Sequence, residues 1–134
     1  YRKWGTRRRM QWADLSSDGT NPIRGATFSV GGFGSHAILE REAGLHVLEV
    51  PKGESRFDRI RVRVSVAPQL VAPNLEPEEL AREARTALRE TEERATNVVR
   101  RYRERPSPLV RDGVHGWRTG RIDAIWNGDF DIWR

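Results

Sequence analysis

In the stretch "DRIRVRVSVAP", Arg59, Arg61 and Arg63 share one face of an expected strand, and Ile60, Val62, Val64 and Val66 share the other. Same-face residues on a strand lie roughly 6.6 Å apart, so the arginine row has a pitch close to the phosphate repeat of an extended nucleic acid strand. Backbone contact is the chemistry such a row offers. The alternative is that Glu40, Glu42 or Glu49 neutralises it across the sheet. A second basic cluster opens the chain: Arg2, Lys3, Arg7, Arg8 and Arg9 are the only charges before Asp14, and they account for the whole net charge of +5. Clustered arginines replace counterions along a phosphate backbone, which favours an anionic partner, nucleic acid being the commonest. A solvated helix end is the competing reading. Among the 5 tryptophans, Trp117, Trp126 and Trp133 lie near the C-terminus, where stacking, core packing and a partner interface explain them equally well.

Other chemistries find no constellation. "GGFG", from Gly31 to Gly34, is not followed by Lys-Ser or Lys-Thr and reads as a strand-to-helix turn, not a phosphate loop. His36, His46 and His115 lack metal-ligand spacing, and the chain has no cysteine, so no metal site is expected. His46 reads as a residue packed or hydrogen-bonded within its strand. Many of the carboxylates lie on one expected helix among arginines, and no nucleophile elbow is present. No enzyme activity and no cofactor are expected. With no apolar run near the roughly 20 residues that span a bilayer, the expectation is a cytoplasmic protein with no membrane partner.

The elements that must position these residues follow from periodicity. A chain of 134 residues suits one domain, and its opening at Tyr1 suggests a piece of a longer protein. Residues 1–9 read as a helix end, Met10 to Leu15 as a strand, and "SSDGTNP" as a turn. Ala26 to Val30 alternates as a half-buried strand, Ser35 to Arg41 makes one or two helical turns that Gly44 ends, and Leu45 to Val50 returns as a strand. From Pro77, the apolar residues Leu80, Ala84, Leu88, Thr91, Ala95, Val98 and Tyr102 recur at helical spacing, predicting one helix to about Arg105. A short amphipathic piece follows around Ile122 to Trp126. The expected fold is α+β: an antiparallel sheet of about four strands, packed by a long helix in the C-terminal half and by short helices.

Two stretches carry a family resemblance. "RGATFSVGGFGSHAILEREAGLHVLEVPKGES" resembles the decoding domain of bacterial class I peptide chain release factors, whose Arg-x-Glu-x-Gly-hydrophobic-His signature matches Arg41, Glu42, Gly44, Leu45 and His46. "LVRDGVHGWRTGRIDAIWNGDFD" is similar to the family's ending, through Leu109 to Asp112, Gly116, Ile125, Trp126, Gly128, Phe130 and Asp131. "YRKWGTRRRMQW" also looks like the helix end that leads into that domain, so the similarity runs along most of the chain in matching order. It implies a decoding fold with two family devices missing. No separate Gly-Gly-Gln domain stands between Val66-Ala67-Pro68 and Glu78. Pro51, Lys52 and Gly53 occupy the codon-reading tripeptide without its threonine, and Arg61, Val62 and Arg63 stand near the family's His-Thr-Ser.

The expected function is therefore a non-catalytic release-factor-like module. It would bind structured RNA or the ribosome through Arg7, Arg8, Arg9, Lys52, Arg56, Arg59, Arg61 and Arg63, with no peptidyl-tRNA hydrolysis. The alternative is a protein-interaction or substrate-recruitment domain of a larger Clp-type AAA+ ATPase, using a surface around Trp117, Trp126 and Trp133.

Overall fold

A computed structural model describes residues 1–16, 25–69, 74–92 and 96–131. The architecture is α+β. A short helix α1 (Arg2–Arg7) leads into a two-stranded antiparallel ribbon, β1 (Gln11–Asp14) with β2 (Phe28–Gly31). Helix α2 (Ser35–Leu39) continues as a 3-10 turn over Glu40–Glu42. The turn feeds a hairpin of two long strands, β3 (Gly44–Lys52) and β4 (Arg56–Val64). Helix α3 (Pro77–Glu92) comes next, then β5 (Val98–Arg103), β6 (Leu109–Asp112), β7 (Arg118–Thr119) and α4 (Ile122–Trp126). Strands β3 to β7 form one five-stranded sheet in the order β4-β3-β5-β6-β7. Its pairs are antiparallel except the central one, β3 with β5, which is parallel and needs a crossover. The segment holding α3 is that crossover.

The expected helix from Pro77 to about Arg105 ends instead at Glu92, and residues 98–103 become β5, the middle strand of the sheet. "VVRRYR" changes period: Arg100 and Tyr102 turn inward while Arg101 and Arg103 turn away, the two-residue repeat of a strand. Its opening Val-Val pair also favours the pleated conformation. The apparent helical spacing arose because Val98 and Tyr102 happen to fall four apart. Ala95, on the same stripe, lies outside the described residues, as does most of the "SSDGTNP" turn.

Register sorts the sheet into two unlike faces, because residues paired across strands point to the same side. On one face, Val62, His46, Arg100 and Asp112 form a row across β4, β3, β5 and β6, and Ile60, Leu48, Tyr102 and Val110 form the next. The main core covers this face: Trp4 from α1, Ile122 and Ile125 from α4, and Phe130 pack with Tyr102 and Val110, and Met10, Val30, Ile38 and Leu39 close around them. The cover stops short of β4, where Ile60 and Val62 remain 54% and 56% exposed. On the opposite face, the ion pair from Arg63 to Glu92, at 3.6 Å, ties the end of α3 to β4.

Gly44 shows why its motif requires glycine. Its φ of 144° suits no L side chain, and a Cβ would strike the Val99 side chain and stand 2.6 Å from the Asn97 carbonyl oxygen. Among the described residues no helix is long and apolar enough to cross a membrane.

Candidate functional site

The signature Arg41, Glu42, Gly44, Leu45, His46 builds the centre of the domain. Glu42, Arg100 and Asp112 are all buried, at 3%, 2% and 4% exposure. Arg100 donates from both terminal nitrogens to Glu42, at 2.9 and 2.8 Å, and from Nε and Nη2 to Asp112 Oδ2, at 3.1 and 2.9 Å. Tyr1 donates its hydroxyl proton to Glu42 Oε2 at 3.0 Å, and the backbone N–H groups of Val114 and His115 fill Asp112 Oδ1 at 3.0 and 2.6 Å. Trp117 and Phe130 lie beside the guanidinium, with ring centroids 5.0 and 5.9 Å away. Every acceptor on both carboxylates is committed, so the pair forms the polar centre of a core and not an acid and base awaiting substrate. The adjoining cavity, lined by Ile38, Arg41, His115 and Trp117, holds about 10 Å³.

His46 completes the network. The Glu42 carbonyl oxygen, 2.9 Å from Nε2, can only accept, so Nε2 carries the proton and Nδ1 accepts from the Tyr102 hydroxyl at 2.8 Å. Burial holds its pKa below the ordinary imidazole value. Burial likewise pushes the Tyr102 phenol up to about 12. Burial opposes the charge on Asp112, but the His115 backbone N–H and Arg100 outweigh it and hold the carboxyl below the usual range. Among the described residues no group of three or more acidic or histidine side chains is placed to hold a metal ion.

The arginines lie on the other face of the sheet. The register sets Arg61 of β4, Val47 of β3, Arg101 of β5, Arg111 of β6 and Arg118 of β7 in one row. The next row holds Arg59, Glu49, Arg103 and Leu109. Arg59, Arg61, Arg63, Arg101, Arg111 and Arg118 are exposed, and among the described residues no carboxylate pairs with any of them except Arg63. Arg103 lies over the Phe57 ring, 5.6 Å from its centroid. Of the carboxylates weighed against this row, Glu40 pairs with His36 at 3.3 Å, Glu42 is consumed by Arg100, and Glu49 stands between Arg59 and Arg103 in the neighbouring row.

The remaining sequence candidates scatter. Arg7 is held by Asp129 at 2.5 Å and Arg8 by Asp131 at 2.6 Å, while Arg9 has no carboxylate partner among the described residues. Pro51 and Lys52 end β3, Gly53 opens the turn, and Lys52 pairs with Asp58 at 3.4 Å. Arg56 is exposed at the start of β4. Trp117 covers Arg100, and Trp126 stacks on Tyr102 with centroids 4.8 Å apart and donates to Glu104 at 3.0 Å. Trp133 lies outside the described residues. Sequence reasoning missed Arg101, Arg103 and Arg111, whose signal was the alternation in "VVRRYR" and "LVRD" once both are taken as strands, and Arg118 on the two-residue strand β7. It also missed the pairing of Arg100 with Glu42.

Compared with known proteins, the chain matches no protein-family model and no curated protein.

Proposed function

We propose that this domain is a non-catalytic, release-factor-like module that docks on structured RNA, with the ribosome as its target, through arginine-phosphate contacts. One observation carries the reading: Arg61, Arg101, Arg111 and Arg118 stand in a single row across the sheet, with Val47 and no acidic residue among them. Neighbouring strands lie about 4.8 Å apart, so the row extends over roughly 19 Å. Arg59 and Arg63 extend it along β4. Such a grid suits the shape-directed recognition of a phosphate backbone, in which guanidinium groups position the RNA without reading its sequence. The buried Glu42–Arg100–Asp112 centre supports the same division of labour, since it rigidifies the sheet that displays the arginines.

The test is binding to intact bacterial ribosomes across a salt series, with an Arg61/Arg101/Arg111 to Ala triple variant alongside. Steeply salt-sensitive binding that the variant loses supports the reading, and absence of binding at low salt overturns it. A second reading, a protein-interaction domain, draws support from the exposed Ile60 and Val62 on the edge strand β4. It foresees capture that is insensitive to the arginine variant.

A further inference from the structure

Phe33 stands wholly in solvent, at 102% exposure. Its loop is nevertheless seated. A Cβ at Gly32 would overlap the Met10 sulfur, so the absence of a side chain there lets the loop close onto the segment after α1. Gly34, at φ 71°, then turns the chain into α2. Between this loop and the end of α1 runs an open groove of about 610 Å³, lined by Arg8, Arg9, Met10, Phe33, Ile38 and Asp131. Its charges are unequal: Arg8 is held by Asp131 at 2.6 Å, whereas Arg9, exposed and at φ 54°, has no carboxylate partner among the described residues. The groove thus offers a free guanidinium, half-buried apolar sides from Met10 and Ile38, and one projecting aromatic face.

A ligand that satisfies all three is a flat ring with apolar faces, joined to an anion. We propose that the groove binds a single nucleotide, its base stacked on Phe33 and its phosphate paired with Arg9. Its volume lies within the range of small-ligand sites, and stacking on an aromatic side chain tolerates any base because every base has a π-face. The proposal deepens the RNA reading above and rests on it for the nucleotide's source, an unpaired residue of the bound RNA; Met10 and Ile38 belong to the core-covered side of the sheet, so that residue comes from a part of the RNA other than the backbone docked on the arginine row. A free mononucleotide has the same chemistry.

The experiment titrates the purified domain at low salt with the four nucleoside monophosphates, with inorganic phosphate, and with two RNA hairpins, one flush and one carrying a single-nucleotide bulge. Phe33→Ala and Arg9→Ala are measured beside the parent; both residues are exposed, and circular dichroism verifies that the variants stay folded. The expected result is that Phe33→Ala weakens nucleotide binding about fivefold or more and leaves phosphate binding unchanged, while Arg9→Ala weakens both. A preference for the bulged hairpin that Phe33→Ala abolishes assigns the site to RNA, and mononucleotide binding with no such preference assigns it to a free nucleotide. Affinities within about twofold of the parent in Phe33→Ala, or no binding of any nucleotide or bulge, overturn the proposal. The Arg61/Arg101/Arg111 variant separates the two readings: it removes ribosome binding if the sheet face docks RNA, and it leaves mononucleotide affinity intact.

Discussion

Arg100 grips the carboxylate of Glu42 with two parallel hydrogen bonds of 2.9 and 2.8 Å, although the two residues lie 58 positions apart in the chain. Asp112 takes the third side of the same guanidinium. Replacing Arg100 alone by Met would strand two buried carboxylates, and we expect it to lower unfolding free energy by about 3–5 kcal/mol in urea titrations. The triple change Glu42→Gln, Arg100→Met and Asp112→Asn removes all three charges and should recover most of that loss. A triple variant no more stable than the single one would show that shape, not charge, governs this centre.

His46 makes stability fall on the acid side of neutrality. Its folded pKa lies below the ordinary 6.5, so the unfolded chain takes up the proton first as pH drops. The contribution is complete above pH 6.5 and is lost progressively as pH falls from there toward the folded value. The slope should not exceed about 1.4 kcal/mol per pH unit. Denaturation midpoints measured from pH 7.5 downward should decline in the parent and stay flatter in His46→Gln. A separate, more acidic loss belongs to Asp112, whose depressed pKa gives a contribution that is complete above the ordinary carboxylate value and is lost as pH falls from there through the folded value.

Gly44→Ala should be costly, because its backbone stands at φ 144° and a methyl group would meet both Val99 and the Asn97 carbonyl. We expect a loss of more than about 1 kcal/mol, read as a lower thermal midpoint. A neutral effect would mean that the β3–β5 junction relaxes freely.

Single alanine substitutions at Arg61, Arg101 or Arg111 should leave stability within about 0.5 kcal/mol of the parent, since all three are exposed. Each should lower the magnitude of the slope of log affinity against log salt by about 1 in ribosome binding. An unchanged slope would remove that residue from the interface.

Much of the scaffold was legible in the sequence because strict alternation is hard to mistake. "DRIRVRV" and "LHVLEV" are the strands their alternation foretold, and Gly44 ended the helical turns before them. β5 was not legible because Val98 and Tyr102 continue the three-and-four spacing of α3, and the residue that betrays the strand, Arg100, points inward with a charge where a core position normally carries an apolar group. Only Glu42 and Asp112, brought in from other strands and turns, make that charge tolerable. For the same reason the wide arginine face stayed hidden: Arg59, Arg61 and Arg63 were visible along one strand, but Arg101, Arg111 and Arg118 join them only through register between strands. Phe33 was visible as a residue in a glycine-rich turn, while the groove beside it depends on Arg9 and Met10 arriving from the segment after α1.

The parallel pairing of β3 with β5 has one further consequence. The crossover leaves the sheet at Val64, opposite Gly44, and re-enters at Val98, opposite Leu45. Its two ends are therefore tethered side by side at the start of the same strand, where the Leu45 N–H also donates to the Asn97 carbonyl oxygen at 2.8 Å. Added length between those ends costs little loop-closure entropy, which makes the crossover the natural port for inserting an additional unit, so long as buried Ala81 of α3, the Glu92 partner of Arg63 and the Asn97 carbonyl are kept.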